Sequence, residues 1–240
     1  MTPGEQKANP MPLSHTEYNN IYASLGHYFP AQAGEFADTL NQMLCLAENE
    51  YGPRDQAFTI WNIEFTRKHP SVYGLRFGAK VVTIILSRSV LALTRKGEWR
   101  NTYWELAHEC VHLLSPLMQK GPIVLEEGVA CSFQRRYMQE YHGFERPQTM
   151  ACCASAEAKI QELLDLDDDI IWKLRQEEPM FRGITPALIL RHCPAVSDEL
   201  AEALTSPFNR EANIEPLDVP VPRPTTLVLR PTSFSAWRRL

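Results

Sequence analysis

The sequence predicts an α+β fold: a small, mostly antiparallel sheet, then a long helix, then a mainly helical C-terminal half. Three observations carry that expectation. Residues 59–87 hold β-branched segments that alternate with a period of two, and residues 101–204 switch to apolar spacings of three and four. Between them one helical segment carries the pentad His108-Glu109-Cys110-Val111-His112.

A chain of 240 residues can bury a sizeable core, and its punctuation favours one domain over residues 31–212. Residues 1–30 mix Pro, Gly, Asn and Ser without periodicity and are expected to form a flexible N-terminal arm, with His15 and His27 facing solvent. Residues 213–240 are Pro-rich and expected to be an extended C-terminal tail. A net charge of −5 offers no basic excess for a nucleic-acid partner. Residues 1–7 lack the apolar core of a secretory signal, and no run approaches the ~18 apolar residues of a membrane span. The expectation is a cytoplasmic protein with no membrane or nucleic-acid partner. Cys45, Cys110, Cys131, Cys152, Cys153 and Cys193 are scattered over a chain of this length, which points to reduced thiols rather than a disulfide framework.

Within the domain, Phe36, Leu40, Met43, Leu44 and Ala47 recur at helical steps, predicting a packing helix over 34–50 that stops before Gly52-Pro53. Three strand candidates follow at 59–65, 72–77 and 80–87, the last rich in Val and Ile. Ser115-Pro116 should end the helix of 101–114. Gly121-Pro122 reopens the chain into a helix that runs through Tyr141 and stops at Gly143. Residues 154–178 are helical in propensity, but Asp165, Asp167, Asp168 and Asp169 interrupt them. No EF-hand Gly and Glu follow, so the run reads as a solvated helix face or a helix break. Thr185-Pro186 and Ser197-Asp198-Glu199 each start a short helix, through His192 and Leu204 respectively.

The pentad has the form H-E-x-x-H. Residues four apart on a helix lie nearly above one another, so His108 and His112 can share one metal ion. Glu109 is turned away from the ion yet near enough to take a proton from a water that the ion activates, as a hydrolytic zinc site requires. Composition alone would generate this pattern about 0.02 times in such a chain, so chance explains it poorly. Catalytic zinc sites have three protein ligands and an open position, so a third ligand is needed. The stretch Ile123-Val124-Leu125-Glu126-Glu127-Gly128-Val129-Ala130 offers Glu126 and Glu127 on a second helix, where Gly128 and Ala130 should allow close approach to the first.

H-E-x-x-H followed by a helix bearing E-G-x-A resembles the gluzincin zinc metallopeptidases over residues 84–141. The resemblance implies a zincin-like architecture, one Zn²⁺ held by His108, His112 and Glu127, and Glu109 as general base, with Glu126 the fallback ligand. Many gluzincins carry an acid one turn after the ligand Glu to orient a zinc-bound His; Cys131 stands there, so a different partner is expected. Glu105, one turn before Glu109, reads as solvent-facing, with a role as that partner the alternative. Members of the family commonly use a later Tyr or His to stabilise the oxyanion. By chain order His192 is the first choice here, ahead of Arg191, Tyr137, Tyr141 and His142. The expected function is a zinc-dependent metallopeptidase acting on a protein or peptide substrate. The alternative is an inactive zinc-binding module that works through protein contacts.

Overall fold

Val82, Thr83, Ile84 and Leu86 are all at most 1% exposed, so the strand that carries them is covered on both faces and belongs at the centre of its sheet. The structure, a computed structural model, describes residues 33–66, 70–74, 80–87, 89–90, 98–116, 121–145 and 150–210. The N-terminal arm, the C-terminal tail, His15 and His27 lie outside these residues, as do positions 75–77 of the second expected strand.

Three strands form the sheet: β1 (Thr59–Thr66), β2 (Ser71–Gly74) and β3 (Val81–Ser87), in spatial order β1-β3-β2. β3 pairs antiparallel with β2 but parallel with β1, from Thr59 opposite Val81 to Thr66 opposite Ser87. The sheet is therefore mixed, which corrects the mostly antiparallel expectation. Local sequence suggested successive reversals between neighbours. The two-sided burial of β3 instead places it between β1 and β2, and two reversals of direction leave β1 and β3 parallel.

Seven α-helices complete the described fold: α1 (Ala33–Tyr51), α2 (Arg100–His112), α3 (Val124–His142), α4 (Ala151–Leu166), α5 (Ile170–Glu177), α6 (Pro186–His192) and α7 (Asp198–Thr205), with a 3₁₀ turn at Phe181–Gly183. The architecture is α+β and mostly helical. None of these helices is long and apolar enough to cross a membrane. Helix ends follow local chemistry. Thr185 and Ser197 accept hydrogen bonds from the backbone N–H groups of Leu188 and Leu200, and Gly143 closes α3 in the left-handed region at φ 54°. The acidic run breaks the helix as one of the two expectations had it: Asp167 accepts from the Asp169 N–H and pairs with Lys173 between α4 and α5.

α2 is buried along most of its length, including Leu106, Ala107, Cys110 and Val111, all at 0% exposure. It packs on α3, α1 and the sheet. The Gln134 side chain ties α3 to α2 by donating to the Trp104 carbonyl at 2.7 Å. Glu105 does not face solvent: its carboxylate accepts from the Ser87 N–H at 2.7 Å and from the Ser87 hydroxyl, fixing the end of β3 to α2. Arg175 is the second lock. Its five guanidinium N–H bonds go to the carbonyls of Tyr51, Gly52, Pro53, Leu114 and Pro179 at 2.8–3.2 Å, joining the exits of α1 and α2 to α5. All six cysteines are free.

Gly128 has a different neighbour from the one expected. A Cβ there would lie 2.5 Å from the Ala156 carbonyl oxygen, so the missing side chain lets α3 approach α4 rather than α2. A small residue in sequence announces close approach without saying to which helix.

Candidate metal centre

The last turn of α2 and the first turn of α3 meet to form the site. His108 and His112 stack one turn apart, with ring centroids 5.0 Å from each other, while Glu126 and Glu127 occupy the α3 N-terminus, where the helix dipole favours carboxylates. The Nε2 atoms of His108 and His112 are 3.2 Å apart. Glu127 straddles them, with Oε1 at 3.4 Å from His108 Nε2 and Oε2 at 3.5 Å from His112 Nε2. Glu126 points instead to the far side of His112, where its Oε1 lies 2.7 Å from Nδ1. With Glu126 accepting the Nδ1 proton, His112 Nε2 faces the space it shares with His108 and Glu127, where loss of its own proton would free a lone pair for a cation.

His108 has its own contact behind the ring, the Cys131 thiol at 4.0 Å from Nδ1. A different partner from position 131 thus serves His112, namely Glu126, in line with the expectation, while the Cys131 thiol lies against His108. The Cys153 thiol lies 3.9 Å from Glu127 Oε1. Hydrogen bonding to Cys153, then burial, raises the Cys131 pKa and keeps that thiol protonated.

Charge is concentrated here. Glu109 is fully buried, and neither of its oxygens has a hydrogen-bond partner among the described residues; one oxygen each of Glu126 and Glu127 is similarly placed. Burial raises the Glu109 pKa against the opposing pull of His112 and His108. Burial disfavours the His112 cation, but the hydrogen bond and charge of Glu126, with Glu109 and Glu127 behind, win and raise its pKa to about 9. Burial likewise opposes the Glu127 anion, yet His108, His112 and Arg210 together lower its pKa to about 2. Three buried carboxylates around two imidazoles form a cluster that could hold a metal ion.

The structure thus brings His108, His112, Glu109, Glu127 and Glu126 together and leaves His192 out. His192 ends α6 with its Nε2 3.0 Å from Glu177 Oε2, and Arg191 pairs with the same carboxylate on the exposed face. Its chain position is late enough, but the ion pair with α5 holds the ring there. Tyr137, Tyr141 and His142 form a ring cluster with Tyr103, and no described contact joins them to the metal-site residues. The cation that does reach the site is Arg210, whose Nη2 lies 3.8 Å from Glu127 Oε1. It sits in an aperiodic segment after α7, so nothing in the sequence pattern marks it. No protein-family model, curated protein or solved structure matches the chain.

Proposed function

We propose that the chain is a zincin-like, zinc-dependent metallopeptidase that hydrolyses a peptide or amide bond. The observation that carries the reading is that His108 Nε2 and His112 Nε2 lie 3.2 Å apart with the Glu127 carboxylate across both, Oε1 3.4 Å from the first and Oε2 3.5 Å from the second. Ligand atoms around a tetrahedral zinc ion lie about 3.3–3.4 Å apart, from bond lengths of about 2.0–2.1 Å, so these donors fit the ion. The unpartnered buried oxygens of Glu109 and Glu127 support the same fit. Bound there, the ion would polarise a carbonyl and make water a nucleophile at neutral pH.

The chain's own groups then have distinct tasks. Glu126 holds His112 in one tautomer and orientation. Glu109, buried and with no hydrogen-bond partner among the described residues, takes a proton as the water oxygen bonds to the carbonyl carbon, whose π pair moves onto oxygen. As that pair reforms the carbonyl and the C–N bond breaks, Glu109 gives the proton to the leaving nitrogen. The raised pKa of Glu109 suits both halves of this transfer.

A second reading, a structural metal site, draws on Cys131, which with His108 and Glu127 places ligand atoms within 4.8 Å of one another. That set would use the Nδ1 side of His108, where the thiol lies, and would leave His112 and Glu109 without a task. Substitution separates the two. Under the peptidase reading Glu109→Gln keeps zinc and loses hydrolysis of casein, and Cys131→Ser keeps zinc. Loss of the metal in Cys131→Ser, or full hydrolysis by Glu109→Gln, refutes that reading.

A further inference from the structure

We infer that Arg210 is the anion-binding residue of this site, the donor that meets the carbonyl oxygen as it becomes negative. The inference rests on the peptidase reading and supplies the oxyanion donor that His192, Tyr137, Tyr141 and His142 do not.

Four observations place Arg210 for that role. Its segment is fixed to the ligand helix: the Val124 N–H donates to the Ser206 carbonyl at 3.0 Å, the Phe208 N–H donates to the Pro122 carbonyl at 2.9 Å, and Ile123 bridges Pro207. The residue therefore stands at the N-terminus of α3 beside Glu127 rather than on a distant loop. Its guanidinium is next to the cluster, 3.8 Å from Glu127 Oε1, and its charge is felt by Glu109 as well as Glu127. Its side chain is 37% exposed where Glu127 is 1% exposed, so it stands between the buried cluster and solvent. Finally, 3.8 Å is an ion-pair distance and too long for a hydrogen bond, and among the described residues none accepts one from its guanidinium. Among the described residues, then, its five N–H donors are not taken up by a hydrogen bond.

With Glu127 committed to a metal ion, an incoming anionic oxygen would meet the Arg210 guanidinium beside it. A guanidinium at this position stabilises the charge that develops on the former carbonyl oxygen, and its donors prefer a tetrahedral oxyanion to a neutral ground-state carbonyl. The same pair of charges should bind a small tetrahedral oxyanion in the absence of any substrate.

The test uses the full-length, zinc-loaded protein with inorganic phosphate as the probe, titrated calorimetrically, alongside Arg210→Ala and Arg210→Lys. The expected result is that Arg210→Ala retains zinc at the wild-type stoichiometry and binds phosphate at least ~10-fold more weakly, while Arg210→Lys recovers part of the affinity. In casein hydrolysis Arg210→Ala should lower kcat about 10²-fold with little change in KM, the signature of a group that acts on the transition state. Wild-type phosphate affinity in Arg210→Ala, no phosphate binding by the zinc-loaded wild type, or a rise in activity on removing the guanidinium overturns the inference and leaves the peptidase reading standing. A wild type that takes up no zinc overturns the reading itself, and the inference with it.

Discussion

Gly128→Ala links the packing of the fold to the metal centre, because Gly128 is the residue after Glu127 and the point where α3 meets α4. Alanine should stabilise an isolated helix by about 1 kcal/mol relative to glycine. Here its Cβ would fall 2.5 Å from both the Ala156 carbonyl oxygen and Ile160 Cγ1. The Ile160 side chain can rotate, but the carbonyl belongs to α4 and cannot. Restoring an ordinary 3.4 Å contact from 2.5 Å requires the helices to part by about 0.9 Å at that point. Overpacking of this kind costs about 1–3 kcal/mol, and separating the buried α3–α4 face adds to it, so the variant should lose about 1–2 kcal/mol net despite the propensity gain. The same shift displaces Glu127 relative to His108 and His112, whose Nε2 atoms lie 3.4 and 3.5 Å from its oxygens, so zinc affinity should fall at least ~10-fold. Urea denaturation with chelator present, followed by zinc titration, measures both. Gly121→Ala is the control, since an added Cβ there meets nothing within 4 Å. A Gly128→Ala protein as stable as wild type and equally tight for zinc would refute the reasoning.

Further expectations concern the lock, the imidazole partner and pH. Arg175→Met should destabilise the protein by about 3–5 kcal/mol in urea melts, because it removes five hydrogen bonds and, among the described residues, leaves only the Leu114 carbonyl with another donor, the Asp55 N–H; a loss below about 1 kcal/mol would contradict that role. Glu126→Ala should weaken zinc binding about 10–100-fold without abolishing it, read by chelator competition, because it frees His112 Nδ1. In the metal-free protein the His112 pKa of about 9 lies above its ordinary 6.5, so its stabilisation is complete below pH 6.5 and lost as pH rises through about 9. Glu127, at about 2 against an ordinary 4.5, contributes above pH 4.5 and loses that contribution as pH falls towards 2. Thermal melts in chelator should therefore show a lower Tm at pH 9 than at pH 6. A Tm flat between those values would count against the pairing of His112 with Glu126.

What could be read in the sequence was what depends on neighbours along the chain. The Thr185 and Ser197 caps, the Gly143 stop, the break at Asp167–Asp169 and the facing of His108 on His112 all follow from interactions within a few residues. What could not be read depends on which surfaces meet. The parallel pairing of β1 with β3 follows from two-sided burial of one strand, the contact of Gly128 with α4 from helix docking, and four of the five bonds of Arg175 from chain segments 61 to 124 residues away. Within the site, Glu126 and Glu127 are indistinguishable by type and adjacent in sequence. Only the 100° step between them on α3 sends one to His112 Nδ1 and the other between the two Nε2 atoms. Arg210 carried no pattern at all, since its place is set by the backbone bonds of Ser206 and Phe208 to the start of α3.

The most direct test is the zinc content of the full-length protein after zinc loading and exhaustive dialysis into metal-free buffer, compared with His108→Ala and Glu127→Ala. The geometry of His108, His112 and Glu127 predicts one tightly held zinc per wild-type chain and substoichiometric, readily lost metal in both variants. A wild type without zinc, or variants that hold it as well as the wild type, would contradict the assignment of this two-helix cluster as a metal centre.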